Sequence, residues 1–187
     1  MRQPLDKPRL QSVLRALGRS ARGDGRVLLS GGATALLEGW RASTVDVDLC
    51  LDEEPAGLFE AIARVKRELD VSIELAGPAD FVPPLAGRSL RQVPIGTYGR
   101  VAFAHEDPYL QAFAKLSRGH RRDVGDVAAM VRAGWVEPDL LLRLVREARP
   151  AMLRYPALDP DRLIGTIEAW CEAQPARDGR LSGGDDV

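Results

Sequence analysis

The sequence predicts an α+β fold, in which a small mixed sheet flanked by helices covers residues 1–106 and a C-terminal helical subdomain covers residues 107–173. Strand-like and helix-like patterns alternate up to residue 106, whereas only helix-like patterns follow. Of the 187 residues, 45% are hydrophobic and 28% are charged, which is typical of a globular protein with its own apolar core. The polar, glycine-rich residues 174–187 are predicted to form a disordered tail.

The elements of residues 1–106 follow from apolar spacing and turn residues. Leucine and valine recur at helical spacing in residues 8–20 and predict an amphipathic helix that ends near Gly18. Proline and glycine are frequent in residues 77–99, so this stretch is expected to be mostly loop with short strands. The other predicted elements are strands over 26–29, 44–51, 71–75 and 101–104, and helices over 33–40 and 55–70.

The second half of the chain carries apolar side chains at helical spacing, separated by turns that contain glycine or proline. Pro108 and Pro138 stand near the starts of two predicted helices, where the missing N–H of proline costs nothing. The predicted helices cover residues 107–115, 123–132, 138–149 and 159–173.

Charge and cysteine content narrow the class of protein. The formal net charge is −1, so contact with nucleic acid would have to depend on a local patch. Cys50 and Cys171 are far apart and lack a metal-ligand spacing, which favours a reducing compartment over a disulfide scaffold. No apolar run reaches the roughly 18 residues of a membrane span, and the first residues lack the apolar region of a signal peptide. We therefore expect a cytoplasmic protein without a membrane partner.

Two aspartates in the predicted strand 44–51 are the strongest candidates for chemistry. Successive side chains of a strand point to opposite faces, so Asp46 and Asp48 share one side. Two carboxylates held this way repel each other unless a cation lies between them, and Mg²⁺ binds through one or two protein carboxylates plus substrate phosphates. An Asp-x-Asp pair alone can equally be solvated surface, so the interpretation depends on what precedes the strand.

A glycine turn precedes this strand. Ser30, Gly31 and Gly32 lie between the predicted strand 26–29 and the predicted helix 33–40. Glycine lets the backbone approach a ligand without a Cβ in the way, and a helix N-terminus presents unpaired N–H groups to an anion. The whole unit therefore predicts a phosphate site beside a metal site. The alternative is a purely structural version of the same unit.

A second group of charged residues lies in the helical half. Lys115 stands on an otherwise apolar helix, in a chain with only three lysines among 26 basic residues. Asp123 and Asp126 are three positions apart and share a helix face, so one could pair with Lys115 and the other could cap the helix or accept from its first-turn N–H groups. A helical hairpin with a charged, solvated elbow would show the same pattern.

Taken together, these segments resemble the polymerase-beta-like nucleotidyltransferase superfamily, and in particular its small AbiEii and MenT toxin–antitoxin branch. In that family a Gly-Gly or Gly-Ser turn opens a helix, an Asp-x-Asp strand binds Mg²⁺, and a helical lysine precedes an Arg/Lys-Asp-x-x-Asp segment. The matching elements here are Gly31-Gly32, Asp46 and Asp48, Lys115, and Arg122-Asp123-Val124-Gly125-Asp126. The resemblance covers roughly residues 27–133 and implies a nucleotidyltransferase-like sheet.

The resemblance also implies roles for individual residues. Asp46 and Asp48 would hold Mg²⁺, and Ser30, Gly31 and Gly32 would contact the triphosphate of an NTP substrate. Lys115 would hold phosphate charge, while Asp126 or Asp123 would complete the site. A third strand carboxylate is common in the superfamily, and Glu74 is the first candidate for it, with Asp80 as the second.

Two functions from different classes follow. The first is a Mg²⁺-dependent nucleotidyltransferase that moves a nucleotide from an NTP to an acceptor hydroxyl on RNA (tRNA by resemblance) or protein, as a component of a toxin–antitoxin pair with a cognate antitoxin or operon partner. The second is a catalytically inactive nucleotide-binding or protein-interaction module that retains the fold. A phosphate-binding protein without a metal is disfavoured, because two adjacent carboxylates would repel the ligand.

Overall fold

The computed structural model describes residues 4–174 and confirms the α+β fold. A five-stranded mixed sheet is formed by β1 (Gly25–Ser30), β2 (Asp46–Glu53), β3 (Ser72–Leu75), β4 (Val93–Tyr98) and β5 (Val101–His105). The helices are α1 (Lys7–Ser20), α2 (Gly31–Leu37), α3 (Leu58–Glu68), α4 (Pro108–Arg118), α5 (Arg121–Arg132), α6 (Pro138–Glu147), α7 (Arg149–Met152) and α8 (Pro160–Glu172). Two 3₁₀ turns, Pro78–Asp80 and Arg88–Arg91, lie between β3 and β4.

The strand order in the sheet is β3-β2-β1-β5-β4. Strand β1 pairs antiparallel with β2 and parallel with β5, while β2 pairs parallel with β3 and β4 pairs antiparallel with β5. The register places Ser30 opposite Asp48 and Asp48 opposite Glu74. The end of β1, the start of β2 and the middle of β3 therefore carry polar side chains that lie together at one end of these strands.

Apolar side chains form two clusters. One packs α1, α2 and α3 against the sheet, with Leu14, Val27 and Leu49 fully buried in it. The other lies among the helices from α4 to α8 and also takes in Val82 and Leu85 from the loop before β4. The division of the chain at residues 106 and 107 stays a prediction.

Several element boundaries differ from those predicted, each for a local reason. Helix α3 begins at Leu58 rather than at residue 55, because Gly57 has a left-handed backbone with φ +77°. Strand β2 begins at Asp46 rather than at residue 44, since Thr44 forms an isolated bridge with Leu5 instead. The predicted helix 138–149 ends at residue 147 and restarts as the short helix α7, where Pro150 lacks the N–H that would continue the first helix.

The N-terminal helix, β1, β3, β5 and the four main helices of the second half lie where the sequence predicts them, within a few residues. The tail predicted for residues 174–187 lies almost wholly outside the described residues, which end at residue 174. Within residues 4–174, the longest apolar helical stretch falls short of what is needed to cross a bilayer.

Candidate active site

A cavity of about 230 Å³ lies between α4 and the polar ends of β1, β2 and β3. The sheet contributes the end of β1, the start of β2 and the middle of β3, and α4 closes the opposite side. Of the residues that the sequence singled out, five line this cavity: Ser30, Gly31, Asp48, Glu74 and Lys115. Further lining comes from Phe81 and Gln111, which the sequence did not indicate, and from Arg118, which belongs to the charged segment that follows Lys115. The two separate motifs of the sequence thus face one space.

The acidic group of the cavity consists of Asp46, Asp48 and Glu74. Asp48 and Glu74 are register partners on adjacent parallel strands, and Asp46 lies two residues before Asp48 on the same strand face, although it does not line the cavity. The pKa of Asp48 is raised to about 6, first by burial and then by the negative charges of Asp46 and Glu74, against the lowering effect of Lys115 and Arg118. Asp48 is therefore a carboxyl group that would gain from a nearby cation.

The carboxylates of Asp46 and Asp48 are the candidate protein ligands for Mg²⁺. Within residues 4–174 no three His, Cys, Asp or Glu side chains are placed so that they could hold a metal ion together. Mg²⁺ commonly uses only one or two protein carboxylates and takes its other ligands from phosphate and water. The oxygens of Asp46 and Asp48 are of the right chemical type, and the pKa of Asp48 is raised by burial first and by the negative charges of Asp46 and Glu74 after it. The residues fit the ion in donor chemistry.

The glycine turn packs tightly against strand β2. Gly31 has a left-handed backbone with φ +62°, and a Cβ on it would lie 2.5 Å from Asp48 Oδ2. A Cβ on Gly32 would lie 2.3 Å from Thr44 Oγ1. Both positions therefore exclude a side chain, because Gly31 meets the Asp-bearing strand and Gly32 meets Thr44 just before it. Gly31 holds its backbone beside the Asp48 carboxyl group.

The backbone N–H of Gly31 is already engaged, contrary to the expectation that it is free for an anion. It donates to Gln111 Oε1 at 3.1 Å. Gln111 is buried, and its Nε2 in turn donates to the Glu106 carbonyl oxygen at 2.9 Å. Gln111 thus fixes the turn to the start of α4. Ser30 is also buried and lines the cavity, but its side chain makes no capping hydrogen bond to α2.

Lys115 lies at the centre of an ion-pair network that joins α4, α5 and the loop after α2. Its Nζ lies 2.5 Å from Asp126 Oδ2 and 3.4 Å from Asp123 Oδ1. Arg41 donates to both oxygens of Asp126, from Nε at 2.8 Å and from Nη2 at 2.5 Å. Arg118 Nε donates to Asp123 Oδ2 at 3.0 Å. Three cations share two carboxylates, so the network has one positive charge in excess.

Both aspartates of the Asp-x-x-Asp segment serve this network. The expectation that one of them caps a helix is wrong, since the residue before α5 is His120 and no side chain caps that end. Burial raises the pKa of Asp123, but the hydrogen bond from Arg118 and the charge of Lys115 outweigh it and leave the pKa below its usual value. The Asp123 carboxylate is thereby held in its charged form against Lys115 and Arg118.

Arg41 and Gln111 are the site residues that sequence reasoning missed. A charge argument could have found one of them, because a carboxylate as buried as that of Asp126 needs positive charge and hydrogen-bond donors at both of its oxygens. Arg41 supplies that charge from 85 residues away in the sequence. No comparable signal indicated Gln111, whose role depends on the tertiary approach of α4 to the turn.

The second candidate for a third carboxylate, Asp80, lies elsewhere. Its carboxylate accepts a hydrogen bond from the Gly77 N–H at 2.7 Å, within the 3₁₀ turn that follows β3. It lines neighbouring cavities and not the one that holds Asp48. Glu74 is therefore the acid that the fold brings beside Asp48.

No protein-family model, curated protein or solved structure matches the chain. The family resemblance therefore stays a prediction that depends on the residues and geometry described above.

Proposed function

We propose that this protein is a Mg²⁺-dependent nucleotidyltransferase that transfers a nucleotide from an NTP to an acceptor hydroxyl. The observation that carries the proposal is the cavity itself, in which Asp48 and Glu74 from the sheet face Lys115 and Arg118 from α4. Phosphoryl transfer needs acidic side chains that can hold a cation and positively charged side chains that can hold phosphate, and here both kinds line one cavity.

The chemistry that the residues would perform is in-line transfer. The acceptor oxygen forms a bond to the α-phosphorus, the bond from that phosphorus to the bridging oxygen of the β-phosphate breaks, and pyrophosphate leaves. The acceptor's proton passes to a carboxylate of the acidic group. Mg²⁺, held by Asp46 and Asp48, would neutralise phosphate charge. Lys115 and Arg118 contribute a fixed positive charge on the side of the cavity that faces those acids.

The acceptor and the setting are parts of the same proposal. RNA, with tRNA suggested by the resemblance, and a protein hydroxyl are the two acceptor classes, and an antitoxin or operon partner would regulate the enzyme. A cytoplasmic setting is supported by the two free cysteines, Cys50 and Cys171, of which burial raises the pKa of Cys50 to about 12 and keeps it an unreactive thiol.

A nucleotide-binding module without turnover is the second candidate. It is favoured by one observation, that within residues 4–174 no set of three metal-ligating side chains is assembled. Such a module would bind NTP in the same cavity, and its partners would be proteins. The two functions therefore differ in incorporation of nucleotide and not in binding.

The deciding experiment incubates the protein with each α-labelled NTP, Mg²⁺, total RNA and lysate protein, and follows which polymer becomes labelled. Asp48→Asn keeps the size of the side chain and should abolish labelling. Asp24→Asn is the matched control, because Asp24 is an exposed carboxylate in the turn before β1, and it should label as the wild type does. Binding of NTP without any labelled polymer would favour the inactive module, and labelling by Asp48→Asn at the wild-type rate would refute the site.

A further inference from the structure

A second cavity of about 260 Å³ adjoins the candidate active site. The two cavities share Phe81 and Arg118 as lining residues, so these two side chains form the partition between them. The second cavity is otherwise bounded by the end of α4 and by residues 155–158, which connect α7 to α8. A ligand held in the first cavity could therefore extend past Phe81 into the second.

Phe81 is unusual for a large apolar side chain because it is 46% exposed at the mouth of a cavity. The Arg118 guanidinium carbon lies 5.2 Å from the centre of its ring, in the arrangement of a cation–π pair. Arg118 is itself oriented by its hydrogen bond to Asp123. The ring is thus held in place by a positively charged neighbour while much of its surface stays open.

The polar groups that line the second cavity already have partners within the chain. Tyr155, Ser117 and Asp80 make hydrogen bonds that fix the wall, and Leu158 and Pro156 add apolar surface. The hydrogen bonds are Tyr155 Oη to the Ala79 carbonyl oxygen at 3.0 Å, Ser117 Oγ to the Ala114 carbonyl oxygen at 2.9 Å, and the Gly77 N–H to Asp80 Oδ2 at 2.7 Å. The cavity therefore offers a ligand contacts with an aromatic ring and apolar side chains, whereas its hydroxyl and carboxylate groups are already hydrogen-bonded.

We propose that the second cavity binds the nucleobase of the NTP, which stacks on Phe81 beside Arg118 while the phosphates occupy the first cavity. This inference rests on the proposed function and names the part of the site that would hold the base. A flat aromatic heterocycle suits an open phenyl ring next to a guanidinium group, because every base has a π-face that stacks. An alkyl occupant would not use the cation.

Weak discrimination among the four bases follows from the same contacts. Stacking accepts any base, whereas selection among bases needs free donors and acceptors aimed at the base edge. The hydroxyl and carboxylate groups of this cavity are bonded to the chain instead. The affinities of ATP, GTP, CTP and UTP should therefore lie within about tenfold of one another.

The test compares the binding of ATP and of inorganic tripolyphosphate to the full chain in Mg²⁺, by calorimetry. Phe81→Ala should weaken ATP binding about 5- to 150-fold and leave tripolyphosphate binding unchanged, because only ATP carries a base. Phe81→Trp should retain ATP binding. Phe59→Ala is the matched control, since Phe59 is 49% exposed on α3, away from both cavities, and its loss should change neither affinity.

The outcomes separate this inference from the function on which it rests. Unchanged ATP binding by Phe81→Ala, or an equal loss for ATP and tripolyphosphate, would overturn the base site while leaving the nucleotidyltransferase proposal standing. A preference for one base far beyond tenfold would overturn the stacking mode. Failure of the wild type to bind either ligand would refute the proposed function itself and the base site with it.

Discussion

Lys115 and Asp126 form a buried ion pair between α4 and α5, with Lys115 Nζ 2.5 Å from Asp126 Oδ2. Arg41 donates to both oxygens of the same carboxylate, so Asp126 compensates two cations at once. Removing two or more charges from water is costly unless geometry and hydrogen bonds repay it. Both the packing of α4 on α5 and the position of Lys115 in the candidate site therefore depend on the Asp126 side chain.

Asp126→Asn should destabilise the protein by about 3–5 kcal/mol, because it leaves Lys115 and Arg41 without their shared carboxylate. Urea unfolding measures this loss. Asp161→Asn is the control, since Asp161 also pairs with an arginine, Arg149 at 2.9 Å, but its side chain is 77% exposed. That surface pair should contribute about 0–1 kcal/mol. Equal destabilisation by the two variants would contradict the importance of the buried pair.

The fold was predictable where local pattern and tertiary packing agree. Leucine spacing in α1 and alternation in β2 place Leu14 and Leu49 in the core, as expected. Boundaries failed where a single backbone conformation decides them, as at Gly57, whose left-handed φ delays α3 to Leu58. A positive φ cannot be read from apolar spacing, since it depends on the path of the chain and not on burial.

The acids and the lysine of the candidate site were predictable from the sequence. The hydrogen bonds and ion pairs that join them to distant elements were not. Asp48 follows from strand alternation, and Lys115 from a charge on an apolar helix. The approach of Gln111 to the glycine turn and of Arg41 to Asp126 depends on how distant elements dock. The expectation that the turn offers a free N–H failed for that reason.

Gly31→Ala should destabilise the protein more than Gly39→Ala does. Both glycines are left-handed, with φ +62° and φ +76°, so alanine is strained by about 1–2 kcal/mol at either position. A Cβ at Gly31 would also lie 2.5 Å from Asp48 Oδ2, whereas a Cβ at Gly39 meets nothing within 4 Å. Thermal unfolding of the two variants isolates the contact with Asp48. Equal losses would show that the turn does not press on that carboxyl group.

Asp48 should make stability fall as the pH rises from about 4 to about 6. Its pKa of about 6 in the folded protein exceeds the ordinary 3.8, so the folded state binds more protons than the unfolded state in that range. The loss should be about 1–2 kcal/mol once solvent screening is allowed for. Chemical denaturation at several pH values measures it, and Asp48→Asn should remove this slope whereas Asp24→Asn should keep it.

Mg²⁺ should lower the pKa of Asp48, because a cation favours the charged carboxylate. Carbon-13 NMR of the side-chain carboxyl groups, assigned with Asp48→Asn, follows the titration with and without the ion. Asp46→Asn should weaken the effect of Mg²⁺, since it removes the second candidate ligand. An Asp48 titration that is the same with and without Mg²⁺ would contradict metal binding at this position.

His105 is buried away from the acidic group. Its ring lies between Thr34 of α2 and Glu38, the residue that follows α2. Its Nδ1 lies 3.1 Å from Thr34 Oγ1, and its Nε2 lies 3.1 Å from Glu38 Oε1. Thr34 Oγ1 also lies 3.2 Å from the Leu29 carbonyl oxygen, so its single hydrogen serves one of two acceptors. When Thr34 donates to Nδ1, the Nε2–H of a neutral His105 donates to Glu38, whose pKa is raised by burial.

His105 should stay neutral well below pH 6.5, because burial lowers its pKa to about 4. The folded state then binds fewer protons than the unfolded state, so its contribution to stability is lost as the pH falls from about 6.5 to about 4, by about 3 kcal/mol. The sequence holds two histidines, so NMR of His120→Gln reports the His105 imidazole alone. Protonation near pH 6.5 would contradict the buried neutral ring. Asp48 has the opposite pH slope over an overlapping range, so His105→Gln should unmask a loss of stability with rising pH that the wild type partly conceals.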